Sequence, residues 1–348
     1  MTEKGYNVVV IGATGNAGMT TLQILAERKF PIEKIAAVAS KKSIGKVVSC
    51  GNKQLKIQDF SDIDFSNFDI AICCAGSAVS ARYADAITNA GCIIIDKTSH
   101  FRFNPKVPLI VPEVNGERLK KGAPIGIVST PNCVATPLSL TLKALSQISS
   151  IKRVVVSTYQ SVSGAGKKAI DELYTQTKNI IVGSESKCEV FSKQISFNVL
   201  PLIGDLNADG VSDEEEKISG EICKILEAPI KVAVTSVRVP VFIGHAMSVA
   251  CEFDSSVSLD QAYDALNNFD GVIVVDRRDR DDGFATPIDA QGDDCAFVSR
   301  VRKDTTVSSG LLYWVTADNL RKGAALNSVQ IAEKMIELDP TLELFKKK

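Results

Sequence analysis

The chain has 348 residues, enough for about two domains and a sizeable core. Its 45% apolar and 23% charged residues are those of an ordinary globular protein. A formal net charge of -1, with no long basic block, excludes the electrostatic footprint of a nucleic-acid or anionic-membrane partner. No uninterrupted apolar run reaches about eighteen residues, and Met1–Tyr6 leads straight into a strand-like run without a basic n-region. A cytoplasmic enzyme is expected. The nine cysteines are odd in number and include no C-x-x-C pair, which argues against a disulfide framework and a zinc site; no metal is expected.

Asn7 to Ile11 is an apolar, β-branched run, followed by Gly12-Ala13-Thr14-Gly15-Asn16-Ala17-Gly18 and a helical pattern from Met19 to Arg28. Strand, glycine turn and amphipathic helix form the first unit of a dinucleotide-binding fold. Glycines there allow a tight turn and close backbone approach to a pyrophosphate seated on the helix N-terminus. The spacing is G-x-x-G-x-x-G, and a generic strand-to-helix turn is the bland alternative. A second strand, Lys34 to Ala39, ends in Ser40-Lys41-Lys42-Ser43. NAD would call for an acid near this point, whereas two lysines and two hydroxyls suit a 2′-phosphate, so NADP is expected unless these lysines are solvated loop residues. Ile70 to Cys74 ends at Ala75-Gly76-Ser77, where Gly76 also permits backbone approach. Ile93 to Ile95 ends at Asp96-Lys97-Thr98-Ser99-His100-Phe101-Arg102. Strands alternating with helices predict an α/β, doubly wound, mostly parallel sheet with ligands at the strand carboxyl ends.

The run Ile125 to Val128 breaks at Ser129-Thr130-Pro131-Asn132-Cys133-Val134-Ala135-Thr136. A strand that delivers a cysteine through a proline turn into a small, hydroxyl-rich segment is a way to present a nucleophilic thiol. An ordinary thiol has a pKa of about 8.5 and needs a partner that favours the thiolate. The chain has two histidines, His100 and His245, and the second ends the apolar stretch Val237-Arg238-Val239-Pro240-Val241-Phe242-Ile243-Gly244. A Cys/His pair split between two halves of a chain suits acyl transfer. The bland readings are a buried structural thiol and a hydrogen-bonded structural histidine. The other eight cysteines read as core or surface residues.

Beyond Lys152 to Gln160, a β-branched strand, Ser161-Val162-Ser163-Gly164-Ala165-Gly166-Lys167 precedes a helix from Lys168 to about Thr177. This segment lacks the Walker spacing. Ser212 to Leu226 reads as a helix with acids at its start, where the dipole favours them. Val232 to Val239, Ala246 to Phe253 and Gly271 to Val275 are strand candidates of a second, α+β domain. Leu320 to Leu338 closes the chain as a helix with apolar residues at helical spacing.

Five blocks resemble the aspartate-semialdehyde dehydrogenases: the Gly12–Gly18 turn, Pro131-Asn132-Cys133, Thr158 to Gly166, Val237 to Pro240 with Gly244-His245, and Asp318 to Asn327. They occur in order over nearly the whole chain. The resemblance implies an N-terminal Rossmann-like dinucleotide-binding domain over residues 1–132, completed by a C-terminal helix (320–348) that returns to it. Residues 133–319 would form an α+β catalytic and dimerisation domain, in a homodimer. It implies NADP-linked interconversion of 4-aspartyl phosphate and aspartate 4-semialdehyde, at the branch toward lysine, threonine, methionine and diaminopimelate. Cys133 would be the nucleophile, Gln160 would orient the substrate, Arg238 would hold its α-carboxylate and His245 would be the acid/base group. Arg102, Asn132 and Lys217 would receive phosphate, with Glu214 near the substrate ammonium. The cofactor would meet Gly12, Thr14, Gly15, Asn16, Ala17, Gly18, Ser40, Lys41, Lys42, Ser43, Gly76, Ser163, Gly164 and Asn327.

Three departures from the family pattern stand out. Lys97 occupies a position that usually carries an amide, Val134 and Ala135 separate Cys133 from the hydroxyl of Thr136, and lysine replaces a typical arginine in Ser40-Lys41-Lys42-Ser43. Two rival readings are an N-acetylglutamyl-phosphate reductase and a non-catalytic dimeric homologue. The reductase cysteine normally follows Pro-Gly and precedes an aromatic residue, unlike Asn132 and Val134, and its acetamide substrate needs no acid such as Glu214. Joint retention of Cys133, Gln160, Arg238 and His245 argues against a non-catalytic homologue.

Overall fold

A computed structural model describes residues 5–348 and divides the chain into two compact units. One comprises the chain up to Asn132 together with Ala324–Lys348, and the other is Cys133–Gly323.

The first unit is built on a seven-stranded sheet. Its strands are β1 (Tyr6–Ile11), β2 (Ile32–Val38), β3 (Val47–Cys50), β4 (Lys53–Gln58), β5 (Ile70–Cys73), β6 (Ile93–Asp96) and β7 (Ile127–Ser129). They run in the order β3-β4-β2-β1-β5-β6-β7, parallel throughout except for the β3–β4 hairpin. β5 and β6 are buried at every position, which is why they read as unbroken apolar runs. Side chains alternate between two cores. Val8, Val10, Ile70, Ile72, Ile93 and Ile95 pack with Leu22 and Leu25 of the helix Asn16–Glu27 and with Val329 and Met335 of the closing helix Leu326–Leu338. Val9, Ile11, Ala71, Cys73 and Ile94 pack on the other face with Ala84 and Ile87 of the helix Ser77–Asn89. Strand order turns back at β1, between β2 and β5, so the carboxyl ends of these strands form the crevice where such sheets bind ligands.

The second unit carries a six-stranded mixed sheet. It contains β8 (Ile151–Gln160), β9 (Lys231–Arg238), β10 (His245–Phe253), β11 (Val272–Val274), β12 (Ala296–Lys303) and β13 (Gly310–Ala317), in the order β11-β12-β13-β10-β8-β9. β8 runs parallel to β9 and antiparallel to β10. The helices Ala135–Ser146, Asp213–Leu226 and Leu259–Asn267 pack against it.

The expected strands appear within a residue or two of their sequence-based bounds. The closing helix is shorter than expected: Arg321–Ala325 forms a π-helical turn, and α-helix begins only at Leu326. The expected helix from Lys168 instead spans Lys167–Ile181. The β3–β4 hairpin, β12, β13 and the helix Ala135–Ser146 had no counterpart in the sequence reading.

Candidate active site

Cys133 lies in the turn that opens the helix Ala135–Ser146, one residue before its N-cap, Val134. That helix has no acidic residue in its first turn and no side-chain cap, so the positive end of its dipole faces the neighbourhood of the thiol. A cysteine at a helix N-terminus is biased toward thiolate, and the same dipole favours a developing oxyanion. Cys133 is only partly buried. Gly323 packs onto it so closely that a Cβ there would stand 2.8 Å from the Cys133 carbonyl oxygen and 2.9 Å from its Cβ.

Gln160 and Arg238 end the parallel strands β8 and β9 as register partners, which places their side chains side by side. Both are buried, at 1% and 6% exposure. Thr158 Oγ1 donates to Gln160 Oε1 at 3.0 Å, and Gln160 Nε2 donates to Glu214 Oε1 at 3.0 Å, so the amide orientation is set at both ends. Glu214 sits in the first turn of the helix Asp213–Leu226, which is started by a capping box between Ser212 and Glu215. Arg238 Nη1 donates to the Ser161 carbonyl at 2.8 Å. Burial draws the Arg238 guanidinium below its ordinary pKa, while Cys133 and Glu214 pull the other way. Arg238 therefore lies within electrostatic reach of both the Cys133 thiol and the Glu214 carboxylate. Lys217, one turn beyond Glu214, ion-pairs with Asp213.

His245 begins β10 and is fully buried. Its Nδ1 accepts the backbone N–H of Ser161 at 3.0 Å, and its Nε2 has no hydrogen-bond partner among the described residues. Burial first, then the Arg238 charge, hold the imidazole well below its ordinary pKa, with a weak opposing pull from the Gly244 carbonyl. Gly164 leaves open the space beside it: a Cβ there would lie 3.1 Å from Arg238 Nη1 and 3.2 Å from His245 Nε2. Ser163, expected at the cofactor, places its hydroxyl in a buried network with Ser161 and Asn319. Asn319 and Gly323 were not singled out from the sequence as site residues, although both lie in the block Asp318 to Asn327.

The first unit gathers the other expected residues. Gly12 has φ +83°, and a Cβ there would come within 2.8 Å of the Cys74–Ala75 peptide; a Cβ on Gly18 would come within 2.3 Å of the Gly12 carbonyl oxygen. Only glycine permits this turn and this seating of the helix on it. Gly15, the N-cap of Asn16–Glu27, has no neighbour closer than 3.5 Å to such a Cβ, so that side of the turn is open to a ligand backbone. Neither this helix nor Ser77–Asn89, whose N-cap is Gly76, has a side-chain cap or an acid in its first turn. The buried Asn16 Nδ2 has no hydrogen-bond partner among the described residues. Two uncapped helix starts and an orphaned amide fit a pyrophosphate. Thr14 Oγ1 lies 3.3 Å from Ser43 Oγ, joining the glycine turn to the end of β2, where Lys41 and Lys42 are exposed. Asn327, fully buried, donates to the Ile110 carbonyl at 2.9 Å and keeps a buried Oδ1 without a partner among the described residues, which fits a carboxamide donor.

Arg102 donates to the carbonyls of Thr130 (3.0 Å) and Lys97 (2.9 Å), which holds it beside the segment leading to Asn132. Lys97 sends its ammonium to Thr21 Oγ1 at 3.3 Å, and burial draws its pKa down. Burial raises the thiols of Cys50, Cys92, Cys251 and the partly buried Cys223 and Cys295, and pushes Cys73 up to about 12, which makes them poorer nucleophiles. Among the described residues no group of three or more His, Cys, Asp and Glu could hold a metal ion, and no helix is long and apolar enough to cross a membrane.

Two family models match the chain. "Semialdehyde dehydrogenase, NAD binding domain" covers residues 7–122, and "Semialdehyde dehydrogenase, dimerisation domain" covers residues 142–322. The aspartate-semialdehyde dehydrogenase of Rickettsia bellii is 52% identical over 97% of this chain and 99% of its own length. That of Aquifex aeolicus is 43% identical over 96% of this chain and 98% of its own. The crystal structure of aspartate semialdehyde dehydrogenase II from Vibrio cholerae aligns with a TM-score of 0.93 at 41% identity, covering 96% of this chain and 99% of that one. A second structure of the Vibrio protein, equally similar, is complexed with ASA.

Proposed function

The chain belongs to the aspartate-semialdehyde dehydrogenases, and from that premise we propose that it converts 4-aspartyl phosphate to aspartate 4-semialdehyde, with release of phosphate, using NADPH. The observation that carries this reading is the convergence of Cys133, Gln160, Glu214 and Arg238 around a buried neutral histidine. NADPH, when bound, supplies the hydride.

Each side chain has a part. The Cys133 thiolate attacks the acyl phosphate and expels phosphate, leaving an enzyme thioester; N–H groups at the start of Ala135–Ser146 steady the oxyanion. Arg238 takes the substrate α-carboxylate in its fork, and Glu214, held by Gln160, takes the ammonium. Gln160 keeps the substrate chain in line with the thiol. His245, at Nε2, serves the oxygen of the tetrahedral intermediate as acid and base. Arg102, Asn132 and Lys217 receive the phosphate. Gly12, Thr14, Gly15, Asn16, Ala17, Gly18 and Gly76 hold the pyrophosphate, Ser40, Lys41, Lys42 and Ser43 the 2′-phosphate, and Ser163, Gly164 and Asn327 the nicotinamide end. Residues 1–132 with the C-terminal helix form the NADP-binding domain and residues 133–319 the catalytic and dimerisation domain. The working form is a homodimer, in keeping with the dimerisation-domain match.

The test is phosphate-dependent reduction of NADP by the purified protein, with aspartate semialdehyde set against N-acetylglutamate semialdehyde. Turnover confined to the first, and requiring phosphate, supports the reading. Preference for the second would make the protein an N-acetylglutamyl-phosphate reductase, and no turnover of either would leave a binding homologue.

A further inference from the structure

Two backbone N–H groups determine where protons lie around His245. A peptide N–H can only donate. Ser161 N–H points at His245 Nδ1 at 3.0 Å, so Nδ1 must offer its lone pair and the neutral ring must carry its proton on Nε2. Gly244 N–H points at Asn319 Oδ1 at 2.9 Å, so the Asn319 amide can be placed only with its oxygen toward β10. The remaining hydrogens then follow. Asn319 Nδ2 donates to Ser163 Oγ at 2.9 Å, Ser163 Oγ lies 3.0 Å from Ser161 Oγ, and Ser161 Oγ lies 3.2 Å from Asn319 Oδ1. Ser163 O–H can donate to Ser161 Oγ or, at 3.1 Å, to Asn319 Oδ1, and Ser161 O–H donates to Asn319 Oδ1.

Ser161 Oγ is also 3.0 Å from His245 Nδ1. The opposite tautomer could donate from Nδ1 to that hydroxyl, at the expense of leaving the Ser161 N–H buried against another N–H. Such a loss costs about 1–3 kcal/mol, or roughly ten- to hundredfold in population. Asn319 adds to the bias because it engages the Ser161 hydroxyl and anchors Gly244, the residue before His245. It is 2% exposed.

We propose that Asn319 is a positioning residue which, through Ser161 and Gly244, holds His245 as the Nε2–H tautomer, so that the resting enzyme presents the reacting oxygen with a hydrogen-bond donor and not with a base. The proposal rests on the reading of His245 given above. It adds that the free Nε2, beside the opening left by Gly164, carries the hydrogen. Arg238 is the charged group facing the ring, and it interacts in turn with Cys133 and Glu214; the other groups at the ring are the neutral Ser161, Gly164 and the Gly244 backbone. A second positive charge on the imidazole is therefore disfavoured, and the neutral donor persists.

The chain has two histidines, so protein labelled with ring-15N histidine shows two imidazoles, and His100→Asn assigns them. In the unsubstituted protein near neutral pH the His245 nitrogens should read as protonated Nε2 and unprotonated Nδ1; a protonated Nδ1 would overturn the proposal without any variant. Asn319→Ala should shift both signals toward a mixture of tautomers and lower kcat about tenfold to a hundredfold, with KM for aspartate semialdehyde within about threefold. Adding Ser161→Ala should restore the single Nε2–H signature, because the competing acceptor is gone while the peptide N–H remains. An Asn319→Ala variant with unchanged nitrogen signals would remove Asn319 from this role. If His245→Asn kept near-normal turnover, the acid/base reading would fall, and the tautomer measurement would still stand or fall alone.

Discussion

Gly323 and Cys133 are in backbone contact: a Cβ built on Gly323 would lie 2.8 Å from the Cys133 carbonyl oxygen and 3.1 Å from its Cα. The π-helical turn Arg321–Ala325 brings the glycine there, a local irregularity of the kind that often marks a functional position. Gly323→Ala should therefore displace the nucleophile itself, since backbone cannot yield as a flexible side-chain end does. Overpacking of this kind costs about 1–3 kcal/mol of stability. A misplacement approaching 1 Å lowers kcat by about a hundredfold. Circular dichroism should show an intact fold; turnover within twofold of the parent would show that the turn relaxes without moving Cys133.

Cys133→Ala should abolish turnover and prevent covalent trapping of substrate. NADPH binding should survive, because the glycine turn and the end of β2 belong to the other unit of the chain. Cofactor fluorescence and intact-protein mass after incubation with aspartate semialdehyde measure the two properties separately. A substrate adduct on the alanine variant would move the nucleophile elsewhere.

The glycine turn, the parallel strands and the Cys133 and His245 positions were legible because each is a local pattern: β-branched runs, a glycine spacing, a base after a glycine. The helix that follows Cys133 was not. Its residues are buried almost all round, from Ala135 through Leu142, so it lacks the one-sided apolar stripe that marks a surface helix. β12 was hidden for a different reason. Arg300 sits at φ +60° where the β12–β13 register shifts between Ser299 and Arg302, which breaks the two-residue alternation. Ser163 read as a cofactor contact, and only the three-dimensional neighbourhood of Asn319, 156 residues away, reveals the buried network its hydroxyl joins.

Lys41 and Lys42 are exposed in the turn after β2, tied to the glycine loop through Ser43 and Thr14. A charge-assisted bond from either lysine to a 2′-phosphate is worth roughly 1.5–3 kcal/mol, tenfold or more in affinity. The double variant Lys41→Ala/Lys42→Ala should raise KM for NADP by at least that factor and leave KM for NAD unchanged. Parallel changes for both cofactors would make these lysines solvated bystanders.

Arg238 is buried on β9 beside Gln160 and shares its charge with Cys133 and Glu214. Arg238→Leu should lower kcat/KM for aspartate semialdehyde by about 2–5 kcal/mol, because a buried carboxylate partner is left uncompensated. Arg238→Lys should recover little, since an ammonium cannot reproduce the bidentate fork. A lysine variant close to the parent would show that a point charge suffices.

His245 should make the fold sensitive to acid in a defined direction. Its folded pKa lies well below the ordinary 6.5, through burial and the nearby Arg238. Above the unfolded value neither state binds a proton on this ring, and its neutral form contributes fully. Below it the unfolded chain takes up a proton that the folded chain refuses, so stability falls as pH drops from 6.5 toward the folded value. One proton of difference amounts to about 1.4 kcal/mol per pH unit across that window. Replacing the ring by an amide, as in His245→Gln, removes the linkage, while His100 is common to both proteins. Denaturant midpoints at about pH 7.5 and about pH 5.5 should therefore show a larger acid loss in the parent than in His245→Gln, by on the order of 1 kcal/mol. Equal losses would mean that the imidazole protonates as readily in the folded protein as in the unfolded chain, which its full burial against Arg238 does not allow.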